Sequence, residues 1–154
     1  MKKIIKHREI IFIAIGVLIV VLLKTFVVDK NIVSGNSMSG TFTDGDVLLI
    51  EKFDKTISRY DVVIIKTEQQ GLKSSVIKRV VGLPNETIQI IDGYVYINSN
   101  RFEDDYIFTE QIEYAGIAES EIHLGADEYF VLGDNKNASE DSRNEWLGVI
   151  SKKK

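Results

Sequence analysis

The pattern of hydrophobic positions changes after residue 28. Residues 10–28 are apolar throughout except for Lys24 and Thr25, and as a helix this segment would be about 28 Å long. The apolar runs that follow are short and rich in β-branched residues, which favours strands over buried helices. The pattern predicts one helix followed by a mainly β, antiparallel domain. The predicted strands are 47–50, 62–65, 75–81, 87–91, 94–97 and 129–132.

The first apolar segment, 10–28, is long enough to cross the hydrocarbon layer of a membrane. Lys and Arg residues cluster within 1–9, which predicts a cytoplasmic N-terminus and an extracytoplasmic domain at 29–154. A cleaved signal peptide is the main alternative, but large residues occupy the positions where its cleavage site would lie. A buried core helix is disfavoured because no polar face interrupts 10–23. We therefore expect an uncleaved, single-pass anchor in contact with membrane lipid.

Turn residues divide the β domain. Asp92-Gly93 lies between two alternating runs and is the strongest hairpin signal in the chain. Residues 68–73 are polar and contain a glycine, which predicts an exposed loop. Residues 99–124 have neither heptads nor strict alternation, so we expect a small irregular insertion there.

Composition excludes several classes of function. The formal net charge is -4 and no basic stripe is present, which argues against nucleic-acid binding. The chain has no cysteine, and His7 and His123 are too far apart in sequence to suggest a ligand cluster. We therefore expect neither a metal nor another cofactor.

Small and hydroxyl-bearing residues fill the stretch 33–42, directly after the apolar segment. Gly35 and Gly40 allow the backbone to turn tightly and to approach a ligand closely. Ser37 lies between them and is a candidate nucleophile. The same residue types also make ordinary turns, so this stretch alone leaves both interpretations open.

Lys78 is the candidate general base, because the chain has no cysteine and no credible catalytic histidine. A lysine acts as a base only when it is neutral, and burial lowers its pKa by disfavouring the ammonium ion. Residues 76–81 surround Lys78 with mainly apolar sequence. Strand alternation does not decide whether Lys78 is buried or faces solvent.

Four motifs, in order after the apolar segment, make the chain resemble the type I signal peptidases of Gram-positive bacteria. The resemblance implies a membrane-bound serine endopeptidase with a Ser/Lys dyad, which removes signal peptides with Ala-x-Ala-like ends from exported preproteins outside the membrane. It also implies a β-rich fold related to that of the self-cleaving repressor peptidases, and we expect a monomer. The motifs are SGNSM at 34–38, RYDVV at 59–63, IKRVVGLP at 77–84, and GDN at 133–135 continuing to DSR at 141–143.

The resemblance also implies roles for individual residues. Ser37 matches the nucleophile, with its backbone N–H as an oxyanion-hole donor, and Lys78 matches the general base. Ser139 matches the hydroxyl that orients the lysine. Asp141 and Arg143 match the pair that holds the active-site loop, in which Asp134 also lies. The resemblance implies that the substrate binds as an added β-strand beside residues 33–35, which include Gly35, and 75–77. We expect Val33 and Ile77 to form the walls of its small pockets.

Two features depart from the family pattern. Gly40 replaces a proline that usually lies two residues after the Met of the SGNSM motif, and we expect a looser turn there. The sequence stops at 151–154, where relatives continue into a further strand, which predicts an unpaired sheet edge.

Two other functions remain open at this stage. One is an accessory protein that uses the peptidase scaffold to bind exported or pilus-type proteins without cutting them. The other is a self-processing peptidase of the repressor type, which the predicted membrane anchor disfavours. The presence of both Ser37 and Lys78 favours an active signal peptidase.

Overall fold

One α-helix, ten strands and two short 3₁₀ helices make up the secondary structure of the described residues. The structure is a computed structural model and describes residues 7–26, 28–51, 56–69, 71–103 and 110–152. The predicted mainly β, antiparallel fold is confirmed. The elements are α1 (His7–Phe26), β1 (Val28–Ile32), β2 (Val47–Glu51), β3 (Val62–Gln69), β4 (Leu72–Gly82), β5 (Thr87–Ile91), β6 (Tyr94–Ile97), β7 (Asn100–Arg101), β8 (Ile122–His123), β9 (Glu128–Leu132) and β10 (Ile150–Ser151).

The chain divides into two compact units. The first comprises Met1–Ile32 with Gly45–Thr56, and the second comprises Val33–Asp44 with Ile57–Lys154. In the first unit β1 pairs antiparallel with β2, from Val28 opposite Glu51 to Ile32 opposite Val47. Strand β1 was not predicted, because its sequence contains three polar residues in a row. Helix α1 ends at Phe26 and β1 begins at Val28, so the helix does not extend to residue 28, where the predicted apolar segment ends.

Helix α1 presents apolar side chains on all sides. The large apolar side chains from Ile10 to Leu22 are between 45% and 66% exposed. Within the ranges described above, no helix has both the length and the apolar character that a membrane span requires. The membrane anchor at 10–28 therefore stays a prediction.

The first sheet of the second unit has the strand order β10-β9-β4-β3. Strands β3 and β4 form a long hairpin in which Glu68 lies opposite Lys73 and Gln69 opposite Leu72. The expected exposed loop at 68–73 is therefore wrong. Its polar sequence does not prevent pairing, because backbone hydrogen bonds join β3 and β4 there.

Strand β4 is paired unevenly along its two edges. Strand β3 pairs with it from Leu72 to Arg79. On the other edge, β9 pairs only from Arg79 onwards, and the register shifts between Val80 and Gly82. Among the described residues, no strand pairs with the β9 side of β4 before Arg79. The edge that leads up to Lys78 is therefore open.

The second sheet has the order β7-β6-β5-β8. Strands β5 and β6 form the predicted hairpin, and Asp92 and Gly93 have φ angles of 50° and 78°, as a tight two-residue turn requires. The segment 99–124 contains β7, the short β8 and a 3₁₀ turn at Gly116–Glu119, while 104–109 lies outside the described residues. The core of the unit includes Val81, Ile88, Ile90, Val95, Ile97, Ile112, Ala118, Leu124, Phe130 and Leu132.

Candidate active site

The two candidate catalytic residues lie side by side. Ser37 is in a turn closed by bonds from Ser39 N to Asn36 O (3.0 Å) and from Phe42 N to Met38 O (2.9 Å). Lys78 is in β4, 41 positions further along the chain. The distance between Lys78 Nζ and Ser37 Oγ is 2.9 Å. A proton can therefore pass directly between these two atoms.

Lys78 is buried, with 3% of its surface exposed. This burial lowers its pKa below the ordinary value of 10.5, because the ammonium ion loses its hydration. The carboxylates of Asp141 and Glu140 oppose the shift, and the guanidinium of Arg143 adds to it. The neutral amine is therefore more abundant at a given pH than it would be for a lysine in water.

The backbone at Ser37 can stabilise a negative charge. Gly35 has a φ of +90°, which L-residues with side chains rarely adopt, and its N–H donates to Asp44 Oδ1 at 2.8 Å. Among the described residues, no group accepts a hydrogen bond from the Ser37 N–H. This N–H can therefore donate to an oxyanion that forms beside Ser37 Oγ.

The segment 133–135 supports the Ser37 turn. Asn135 donates from its backbone N–H to Ser37 O (3.0 Å) and from Nδ2 to Asn36 O (3.1 Å). Gly133 packs so closely that an added Cβ would lie 2.6 Å from Ser37 O and 2.1 Å from Ser139 Oγ. Only glycine fits at this contact between the two loops.

Asp134 links the Ser37 turn to β4. Its carboxylate accepts two hydrogen bonds from Arg79, at 2.8 and 2.6 Å, and one from Thr41 Oγ1 at 2.6 Å. Burial acts to raise the pKa of Asp134, but the bonds from Arg79 and Thr41 outweigh it and hold the pKa below 3.8. The ion pair therefore remains intact at neutral pH.

Asp141 and Arg143 form a buried, bidentate ion pair. Arg143 Nε lies 2.8 Å from Asp141 Oδ1, and Arg143 Nη2 lies 2.8 Å from Asp141 Oδ2. Asp141 Oδ2 also accepts the N–H of Gly133 at 3.0 Å. Arg143 Nη2 donates to the carbonyls of Lys136 (2.6 Å) and Ser139 (3.2 Å). The pair holds both ends of the loop that contacts the nucleophile.

The remaining predicted residues also lie in this unit. Ser139 Oγ is buried and has no hydrogen-bond partner among the described residues, so its predicted role toward Lys78 stays a prediction. Val33 is buried at 4% exposure, and Ile77 is half-buried next to Lys78 on β4. Their role as pocket walls also stays a prediction.

Comparison with known proteins identifies the family. Residues 4–154 match the family described as signal peptidase, peptidase S26. The chain belongs to this family.

Individual members are similar over most of their length. The chain is 33% identical to signal peptidase I P of Bacillus subtilis subsp. natto over 153 residues, which cover 92% of this chain and 80% of that protein. It is 34% identical to signal peptidase I T of Bacillus subtilis (strain 168), over 90% of this chain and 75% of that protein. The crystal structure of a signal peptidase I from Enterococcus faecalis V583 is 31% identical, with a TM-score of 0.47, and covers 63% of this chain and 91% of that chain.

Sequence reasoning missed two residues at this signal peptidase site. Arg79 lies in the motif at 77–84 and Lys136 between the segments 133–135 and 141–143, but neither was assigned a role. Burial is what distinguishes them, since 9% of Arg79 and 2% of Lys136 is exposed. The sequence signal was the position of each residue. Arg79 directly follows Lys78, and Lys136 lies between Asp134 and Asp141.

Proposed function

We propose that the chain is a type I signal peptidase, a serine endopeptidase that removes N-terminal signal peptides from exported preproteins. The observation that carries this proposal is the 2.9 Å distance between Lys78 Nζ and Ser37 Oγ, in a chain that belongs to the signal peptidase family. In this proposal Ser37 is the nucleophile and Lys78 the general base.

Acylation begins when the neutral Lys78 amine takes the proton of Ser37 Oγ. The oxygen attacks the scissile carbonyl carbon, and the Ser37 N–H stabilises the negative charge on the carbonyl oxygen. The ammonium of Lys78 then gives its proton to the leaving amine as the peptide bond breaks. The mature protein departs with a new N-terminus, and the signal peptide remains esterified to Ser37.

Deacylation uses the same groups. Lys78, neutral again, takes a proton from a water molecule that attacks the ester, and returns a proton to Ser37 Oγ as the signal peptide leaves. The buried Ser139 Oγ has no partner among the described residues, which supports a role in orienting the Lys78 amine. A hydrogen bond with the Lys78 amine would give the Ser139 hydroxyl a partner and offset the free-energy cost of burying it.

The substrate is proposed to bind as an extended strand along the open edge of β4. A peptide there can pair with the backbone of residues 75–77 and reach the carbonyl of Gly35, whose N–H is already donated to Asp44. Val33 and Ile77 are proposed to line small pockets that accept Ala at the first and third positions before the cut.

The chain is proposed to be anchored by residues 10–28, with residues 1–9 in the cytoplasm and the peptidase domain outside. The exposed apolar side chains of α1 support this proposal, because lipid can cover them. The basic residues before the helix support the orientation. The reaction then takes place where signal peptides emerge.

A purified preprotein with an Ala-x-Ala site tests this function. We expect the full chain in detergent micelles to cut it once, directly after the second Ala, as measured by mass spectrometry of both products. The control substrate carries Leu in place of that Ala, and we expect it to be cut at least about 100-fold more slowly, because the side chain exceeds a small pocket. A chain that binds both preproteins and cuts neither would be an accessory protein instead.

A further inference from the structure

Lys136 is a second buried lysine, in the loop that supports the Ser37 turn, and the mechanism above does not use it. Only 2% of its surface is exposed. Its Nζ donates to the carbonyl oxygens of Asp134 at 3.2 Å and Gly133 at 3.4 Å. Both carbonyls lie in the short segment that leads into Asn135, so the ammonium ion holds the backbone on that side.

Asn135 connects this segment to the nucleophile. Its N–H donates to Ser37 O at 3.0 Å, and its side chain donates to Asn36 O at 3.1 Å. Arg143 holds the following residue by donating to Lys136 O at 2.6 Å. A small movement of residues 133–136 would therefore move the carbonyl of Ser37, and with it the turn that carries Oγ and the oxyanion N–H.

We propose that Lys136 is a positioning residue for the cleavage reaction, whose ammonium ion fixes residues 133–135 against the Ser37 turn, and that loss of its charge limits activity at alkaline pH. This inference rests on the proposed peptidase function. An ammonium ion offers three donors, and charge-assisted hydrogen bonds are about twice as strong as neutral ones. Deprotonation therefore weakens the hold on both carbonyls at once.

The charge of Lys136 changes within an accessible pH range. Burial lowers the pKa of Lys136 to about 8. The carboxylates of Asp134 and Asp141 oppose this shift by attraction. The guanidinium groups of Arg143 and Arg79 add to it by repulsion. Lys136 is therefore mostly charged at neutral pH and mostly neutral one unit above its pKa.

The effect on stability has the opposite sign to the expected effect on activity. Because the pKa of Lys136 is lower in the folded chain than the ordinary value of 10.5, folding favours the neutral amine. The contribution of Lys136 to the free energy of unfolding therefore rises as the pH increases from about 8 to about 10.5. A fall in activity over this range would not be caused by Lys136 unfolding the protein.

The pH dependence of kcat/KM between about pH 6 and pH 10 tests the inference, with the full chain in micelles and an Ala-x-Ala preprotein. For the wild type we expect a bell-shaped profile, in which kcat/KM rises as Lys78 loses its proton and falls at higher pH as Lys136 loses its charge. In Lys136→Arg the fall should move beyond the measured range, because arginine keeps its charge. In Lys136→Met we expect activity about 100-fold lower below pH 8, without the alkaline fall, since the loop is held loosely at every pH.

Lys66→Arg is the matched control, because it makes the same substitution at an exposed lysine, on strand β3. We expect it to leave the pH profile unchanged. Thermal unfolding of every variant accompanies the kinetics. A purely structural role for Lys136 would lower the melting temperature of Lys136→Met together with its activity, whereas positioning predicts a melting temperature at or above that of the wild type.

Several results would overturn the inference. One is a wild type without an alkaline fall, and another is a fall that stays in place in Lys136→Arg. If Lys136→Arg does not fold, an alkaline fall that persists in Lys136→Met has the same meaning. A wild type that cuts no preprotein would instead refute the proposed function, so the two failures are distinguishable.

Discussion

Lys78→Met is expected to slow preprotein cleavage by about 10⁴-fold or more, and Ser37→Ala to do the same. Methionine has nearly the length of lysine but no amine, so the Ser37 hydroxyl loses the group that takes its proton. Because the two residues act as one unit, the double variant should lose no more activity than either single variant. The measurement is the single-turnover rate of cleavage of an Ala-x-Ala preprotein.

Two matched controls accompany these variants. Ser39→Ala removes an exposed hydroxyl from the same turn, and Lys66→Met removes an exposed amine from β3. Both should cut within a few-fold of the wild type. If single variants at Ser37 or Lys78 cut within about tenfold of the wild type, Ser37 and Lys78 are not the nucleophile and general base.

Asp141→Asn is expected to lower the free energy of unfolding by about 3–5 kcal/mol. The side chains of Arg143 and Asp141 are 3% and 0% exposed, so the substitution leaves a buried guanidinium ion without its counter-charge. Whole domains are stable by only about 5–15 kcal/mol, so this is a large share. Urea denaturation at neutral pH, with the full chain in micelles, measures the change.

The control for Asp141→Asn is Asp127→Asn, at an exposed position in the turn before β9. It makes the same chemical change without burying an unpaired ion, and we expect a shift below about 0.5 kcal/mol. Equal denaturation midpoints for Asp141→Asn and the wild type would show that the pair does not hold the loop.

The strands were predictable where local sequence and tertiary pairing agree. Asp92-Gly93 fixes the β5–β6 hairpin because its turn needs two positive φ angles, and both strand ranges were predicted to the residue. The outer part of the β3–β4 hairpin was missed because its sequence is polar. Strand β1 was missed because it is defined by its pairing with β2, a tertiary contact that no local pattern encodes.

The candidate site was predictable as a set of residues, but its arrangement was not. Motif order pointed to Ser37 and Lys78, whereas alternation along β4 left the burial of Lys78 open. Burial depends on what packs against the strand, here the loop that contains Asp141 and Arg143, more than 60 residues further along the chain. For the same reason, the inward-facing Lys136 looked in sequence like any solvated loop lysine.

The central claim is that burial lowers the pKa of the Lys78 amine beside Ser37. Titration of this amine tests the claim most directly, by following the NMR shift of its Cε with pH in the full chain in micelles. The signal is assigned by its absence in Lys78→Met. We predict a midpoint below 10.5. A midpoint at or above 10.5 would contradict the account, because Lys78 would then be charged at working pH and unable to accept the Ser37 proton.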